Sequence, residues 1–477
     1  MQRLACLLIA ASLAGCASIE PGLPFDVSKA LEKAKLDQTN LGVVAFPLDK
    51  PDSGLRLNVN QPMQPGSAMK LVTAAVALDR LGPNGRGSTD LLGDGPIENG
   101  VLMSPLYLRG NTDTDLDWGS LNALLRLLHD QGVHEIRGGV VVDRNLFSPA
   151  RLDIGQPPFD EQPEFPYNVI PDALMLNGNL LNFFLSSDDR NLSAHPAPAW
   201  PGIRVDTSAV TLVDRACKDW EDGWKIPTVE AIPSGEGEQI VHLQGEFPRN
   251  CKVEQELNVI DRQWLATHAV REMWRELGGT MAPGGDHEGA TPASARVLAT
   301  HHARPLGEVL RGVMKRSDNA LARLTYLRIG VETGTADEPT LTASAAAVQQ
   351  WFAAAHIDTT GMVLDNGSGL SRSERVTPAQ MAGLLVASAH GRHAPELLST
   401  LPVAGVDGTL SRRFKGTDAQ GMARMKTGTL NNAVALAGYV PDASGRLCVV
   451  VGIVNTPGAG RGRVVLDELV LWVSQQK

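Results

Sequence analysis

Positive charge is in short supply in this chain. Lysine and arginine number 43 against 53 aspartates and glutamates, a net charge of −10. That balance argues against a protein whose main task is to neutralise nucleic-acid phosphates. Long apolar runs are missing too. The one clear run, Leu4 to Ala14, is too short for a permanent bilayer span, and no later segment qualifies. Metal-ligand spacing is also absent: His301 and His302 adjoin but have no third residue at a ligand interval. Cysteines number only five, and Cys448, in an apolar stretch, reads as core. No metal or cofactor is therefore expected, and any chemistry has to come from side chains.

Three strings supply such side chains in order: Ser67-Ala68-Met69-Lys70, Ser317-Asp318-Asn319 and Lys426-Thr427-Gly428-Thr429. A serine nucleophile stands one helical turn before a lysine. A second hydroxyl and an amide follow, and a last lysine can hold a carboxylate. That combination suits acyl transfer on a substrate with a free C-terminal carboxylate. No string decides alone. A chain this long holds about one S-x-x-K by chance, and Ser474 to Lys477 is such a match.

The surroundings separate signal from chance. Pro65-Gly66 breaks the chain before Ser67, and Ala68 to Leu81 is apolar almost all round, which predicts a buried helix stopped by Gly82-Pro83. Ser67 then lies at a helix N-terminus, where free N–H groups favour a developing oxyanion. Lys70 returns to the same face and, desolvated beside other cations, is expected near neutrality as a base. Ser317 falls between helical stretches Pro305 to Arg316 and Ala320 to Ile329, although Ser, Asp and Asn are also ordinary helix caps. Lys426 to Thr429 leads into strand-like Ala433 to Val440, a turn at Asp442 to Gly445, and Leu447 to Val454, read as a hairpin.

Together these residues resemble the penicillin-recognising serine DD-peptidases, most closely the class C low-molecular-mass D-alanyl-D-alanine carboxypeptidase/endopeptidases. Asp365-Asn366-Gly367-Ser368-Gly369-Leu370-Ser371-Arg372 is similar to that family's D-G-S-G-L-S-R stretch, with Asn366 in place of a glycine. Gly408-Thr409-Leu410 and Leu106-Tyr107-Leu108-Arg109-Gly110 add to the likeness. From position 67 to position 317 is 250 residues. So long a gap implies an insertion, which the class C group has and β-lactamases lack.

The resemblance implies an α+β chain: a β-lactamase/transpeptidase-like catalytic domain, antiparallel sheet plus helical half, with two nested inserted domains. The catalytic unit would comprise residues 20–86 and 304–477, inserted domain II residues 87–110 and 194–303, and inserted domain III residues 111–193. It implies a Ser67 acyl-enzyme, with Lys70 as base, Ser317 as proton relay and Asn319 on the substrate amide. Lys426, Thr427, Gly428 and Thr429 would bind the carboxylate end, and Asp160 would face the amino end of a diaminopimelate. The implied partners are peptidoglycan stem peptides, with β-lactams as covalent inhibitors. A non-catalytic peptidoglycan-binding or sensor lipoprotein, or a β-lactamase, are the alternatives.

The N-terminus reads as targeting: Arg3, the apolar run, then Leu13-Ala14-Gly15-Cys16, which resembles a bacterial lipobox. A signal peptide of residues 1–15, lipid on Cys16 and, with Ala17 following, a periplasmic site on the outer membrane are expected. Cys217 and Cys251 could then pair as a disulfide in an oxidising compartment.

Overall fold

The computed structural model describes residues 22–232, 237–335 and 338–477. The expected signal peptide and Cys16 lie outside the described residues. One five-stranded antiparallel sheet gathers strands from both ends of the chain. Its order is Arg424–Leu430, Ala433–Pro441, Leu447–Asn455, Leu41–Pro47 and Leu55–Leu57. Because side chains alternate along a strand, both faces of this apolar sheet are covered. Val43, Ala45, Leu436 and Val450 join a core with helices Phe25–Lys33 and Arg463–Ser474. Val44, Phe46, Ala437, Val449 and Val451 face a helical half that includes Lys70–Leu81 and Pro378–His390.

Helix Lys70–Leu81 is buried from Lys70 to Leu78, as an all-round apolar helix requires. Each fully buried Leu or Val there contributes about 1.5–3 kcal/mol, so the helix carrying Lys70 is among the most firmly held elements. The α-helix begins at Lys70 rather than Ala68, because Gly66–Met69 is a tighter 3-10 turn. The expected hairpin is a three-strand meander, since Arg424–Leu430 pairs with Ala433–Pro441. The Leu106 to Gly110 string lies on strand Leu106–Asn111, which a short break separates from strand Val101–Leu102. Pro105, which lacks an N–H for the ladder, falls in the break.

The long insertion holds a five-stranded mixed sheet in the order His287–Glu288, Val140–Asp143, Leu106–Asn111, Ser88–Gly93 and Arg296–His302. Beyond it, two three-stranded sheets are built from Leu181–Ser187, Leu192–Ala197 and Lys252–Leu257, and from Ile203–Val213, Glu238–Pro248 and Trp224–Ile232. Cys217 and Cys251 are disulfide-bonded between these last two groups of strands. The mixed sheet takes strands from both expected inserted units: Val140–Asp143 pairs in parallel with Leu106–Asn111. We propose that shared sheets, rather than breaks at 110/111 and 193/194, define the units of the insertion. Among the described residues no helix is long and apolar enough to cross a membrane, and no group of three His, Cys, Asp or Glu could hold a metal ion.

Candidate active site

Lys70 and Ser67 meet because a tight turn feeds straight into a helix. Ser67 sits in the turn Gly66–Met69, Lys70 opens the helix, and Lys70 Nζ lies 3.1 Å from Ser67 Oγ. The same Nζ donates to Asn319 Oδ1 at 2.6 Å and to the Ser368 carbonyl at 2.5 Å. A neutral amine has two protons, which those two oxygens take up; its lone pair is then left for the Ser67 hydroxyl to donate to. Lys70 is fully buried. Desolvation lowers its pKa to about 7, with Arg323 acting in the same direction and Glu374 and Asp318 opposing.

Two helices abut at Ser317. It closes helix Leu306–Arg316 in the left-handed region (φ 62°, ψ 37°), and Asp318 caps helix Asn319–Thr333 by accepting from Leu321 N at 2.9 Å. The cap is therefore Asp318, which leaves the neighbouring Ser317 and Asn319 free for other contacts. A left-handed serine costs on the order of 1–2 kcal/mol, a strain typical of working sites. Ser317 Oγ accepts from Lys426 Nζ at 2.8 Å, so its partner here is Lys426 rather than Lys70. Asn319 is occupied at both ends: Oδ1 by Lys70, and Nδ2 donating to the Tyr167 carbonyl at 3.0 Å.

Lys426 is also fully buried, and desolvation followed by repulsion from Lys70 lowers its pKa well below the ordinary value. Thr427 Oγ1 donates to Thr409 Oγ1 at 2.9 Å, while Thr429 is exposed. The strand and the Ser67 turn touch backbone to backbone. A methyl group added at Gly428 would stand 2.1 Å from the Pro65 carbonyl oxygen, and one at Gly369, whose φ is +83°, 1.9 Å from the Gly66 oxygen. Both glycines are needed for that approach, which puts the N–H of Thr429 beside Gly66.

Asp160 lies farther along, in a cleft of about 980 Å³ that it lines with Phe159, Asn366, Ser371 and Arg372. Its carboxylate accepts from Tyr167 OH at 2.8 Å and Asn168 Nδ2 at 2.7 Å. Burial and Asp160 push the Tyr167 phenol up. Arg372 donates to the Phe159 carbonyl at 2.9 Å and stacks over its ring. Sequence reasoning assigned no role to Tyr167, Arg323, Ser368 or Glu374. The Asp365 to Arg372 stretch is visible as a string, but its ties to the Lys70 helix are made by the Ser368 and Gly367 carbonyls, which no residue type reveals. A string fitting Glu-x-x-Leu-Asn, a deacylation pattern of class A β-lactamases, also occurs, at Glu254 to Asn258. It lies on strand Lys252–Leu257 of the insertion, where Glu254 accepts from Asn182 Nδ2 at 2.7 Å.

The chain as a whole has counterparts. The D-alanyl-D-alanine carboxypeptidase of Actinomadura sp. (strain R39) is 29% identical over 455 residues, covering 93% of this chain and 83% of the relative. D-alanyl-D-alanine carboxypeptidase DacB of Haemophilus influenzae is 26% identical over 439 residues, covering 88% and 86%. The crystal structure of penicillin binding protein 4 (dacB) from Haemophilus influenzae superposes with a TM-score of 0.78 at 24% identity, over 95% of this chain and all of that one, which establishes the shared fold. Residues 23–476 match the D-Ala-D-Ala carboxypeptidase 3 (S13) family, and the chain belongs to it.

Proposed function

We propose that this chain is a serine-type D-Ala-D-Ala carboxypeptidase and DD-endopeptidase acting on peptidoglycan stem peptides. One observation carries the reading: a fully buried lysine, its pKa lowered to about 7, stands 3.1 Å from a serine hydroxyl. A neutral Lys70 takes the proton as Ser67 attacks the carbonyl of the penultimate D-Ala. The N–H groups of Ser67 and Thr429 receive the oxyanion. Lys426, Thr427 and Thr429 take the terminal carboxylate, and Gly428 lets the substrate backbone approach. A carboxylate beside Lys426 favours its charged form, so binding draws a proton onto this lysine. Ser317 gives its hydroxyl proton to the departing amine and takes one in exchange from Lys426, whose Nζ donates to it. Asn319 first orders Lys70 and offers its amide to the substrate once Tyr167 yields. Water then releases the acyl group, its proton passing through Ser317 to Lys426 while Lys70 returns its proton to Ser67 Oγ.

Asp160 would meet the free amino end of a diaminopimelate residue; its place in the large cleft beside Arg372 supports this. Acylation by β-lactams follows from the same chemistry, and the dacB protein of similar fold has been solved with one bound. We further propose removal of residues 1–15, lipid on Cys16 and attachment to the outer membrane facing the periplasm, supported by the Leu13 to Cys16 string.

The test is fluorescent-penicillin labelling of protein lacking residues 1–16, beside Ser67→Ala, with released D-Ala assayed in parallel. Stable label that Ser67→Ala abolishes, together with D-Ala release, is the expected result. Folded protein giving neither would favour a binding module, and rapid loss of label with penicillin hydrolysis would favour a β-lactamase.

A further inference from the structure

Glu374 is fully buried, and the chemistry proposed above does not use it. Val363 pairs with Arg375, so residues 364–374 form a loop with Glu374 at its neck. One carboxyl oxygen, Oε1, accepts from Gly367 N at 2.8 Å and Asn366 N at 3.1 Å. The other, Oε2, has no hydrogen-bond partner among the described residues. The turn held this way does two things at the nucleophile: its Ser368 carbonyl accepts from Lys70, and Gly369 packs on the backbone of Gly66 and Ser67. Gly367 adds a third tie, its carbonyl accepting from Thr73 Oγ1 on the Lys70 helix at 2.6 Å.

A buried carboxyl with an unmade hydrogen bond costs stability unless charge nearby repays it. Cationic groups are nearby. Lys70 on its helix and Arg323 on helix Asn319–Thr333 both feel Glu374, and Lys426 on the adjoining strand feels Lys70. The other titratable groups facing this pocket are Tyr326, Asp318 and Asp365. Asp318 is occupied as a helix cap.

We propose that Glu374 is a positioning residue for the Ser67–Lys70 pair: it pins the turn that presents the Ser368 carbonyl, and it places a negative charge in the pocket around Lys70, alongside Asp318. This rests on reading Ser67 and Lys70 as the acylating pair. Its consequence has a definite sign. A negative charge near Lys70 favours the protonated amine and so delays its conversion to a base as pH rises. Burial, the largest influence, and the charge of Asp365 carry the pKa of Glu374 above the ordinary carboxylate value, against the Gly367, Asn366 and Asp365 N–H groups, which favour the ion. The carboxylate form assigned to it here is what the pH profile reads.

The acylation rate constant for penicillin is measured from pH 5 to 9 on the full chain and on Glu374→Gln and Glu374→Asp, with folding checked by thermal melting. In Glu374→Gln the acid limb, normalised to its own plateau, should move down by half a unit or more, about a threefold relative gain on the limb. In Glu374→Asp the charge stays but the shorter arm loses the turn, so the limb holds its position while the plateau falls several-fold. Coincident normalised limbs in wild type and Glu374→Gln would overturn the proposal. Should Glu374→Gln not fold, an unchanged plateau in Glu374→Asp would overturn it equally. Wild-type protein that penicillin does not acylate would sink the underlying reading instead, a separate and visible failure.

Discussion

Replacing Lys70 by Met should abolish acylation and, at the same time, flatten the pH dependence of stability in a calculable window. Lys70 is fully buried, and its pKa in the fold is about 7 against an ordinary 10.5. Between those values the unfolded chain binds a proton that the folded chain does not. Wild-type stability therefore rises with pH from about 7 to 10.5 on account of this group and carries the full penalty below 7. One pKa unit corresponds to about 1.4 kcal/mol. From pH 7 to pH 9 the wild type should gain about 2 kcal/mol relative to the variant, after allowing for half-protonation at the lower end. The pKa of Lys426 is depressed in both proteins mainly by burial; removing Lys70 also lifts the repulsion that helps depress it, which can only steepen the wild-type rise relative to the variant. Methionine also leaves the Ser368 carbonyl and Asn319 Oδ1 without the lysine donor, costing about 1–3 kcal/mol each, but that loss is the same at every pH. The assay is urea unfolding of both proteins at pH 7, 8 and 9, following the transition of the unit that contains the five-stranded sheet. A stability difference that does not change with pH would refute a near-neutral buried Lys70, and with it the base assigned to Ser67.

Three other outcomes follow from the same geometry. Because the amine must be neutral to act, wild-type acylation should be about tenfold faster at pH 8 than at pH 6, checked by stopped-flow with a chromogenic β-lactam. Gly428→Ala brings a methyl group within 2.1 Å of the Pro65 oxygen; labelling should fall at least about tenfold, with a stability loss of about 1–3 kcal/mol, read from labelling rate and melting temperature together. Asp160→Ala should lower kcat/KM for a diaminopimelate-containing stem peptide at least about tenfold, the scale of one lost charged hydrogen bond, while leaving penicillin labelling of Ser67 intact.

Much of the fold was legible because periodicity survives where both faces of an element are buried. Strand Leu447–Asn455 is a continuous apolar run with a clear start after the Asp442 to Gly445 turn, and its limits could be read to within a residue. The insertion was less legible for a physical reason. Its mixed sheet joins Val140–Asp143 to Leu106–Asn111 and His287–Glu288, strands of four, six and two residues drawn from distant parts of the chain. Such pairings leave no local trace, and a two-residue strand has no period to detect.

The site divides in the same way. In the mechanism proposed above, Ser67, Lys70, Ser317, Asn319 and Lys426 act through side chains, so residue type and order could announce them. What tunes them is mostly backbone. The Ser368 carbonyl accepts from Lys70, the Tyr167 carbonyl occupies Asn319, and the close passage of Gly428 past Pro65 sets where Thr429 N–H lies. Any residue could supply a carbonyl, so the sequence carries no mark of which one does. The position of the Lys70 proton, on which acylation turns, is governed by burial and by groups as far away in sequence as Asp318, Arg323 and Glu374. Motifs therefore identify which atoms react, whereas the pH at which they react is a property of the packed site. That is why changing Glu374 should alter the pH profile while every motif residue stays in place.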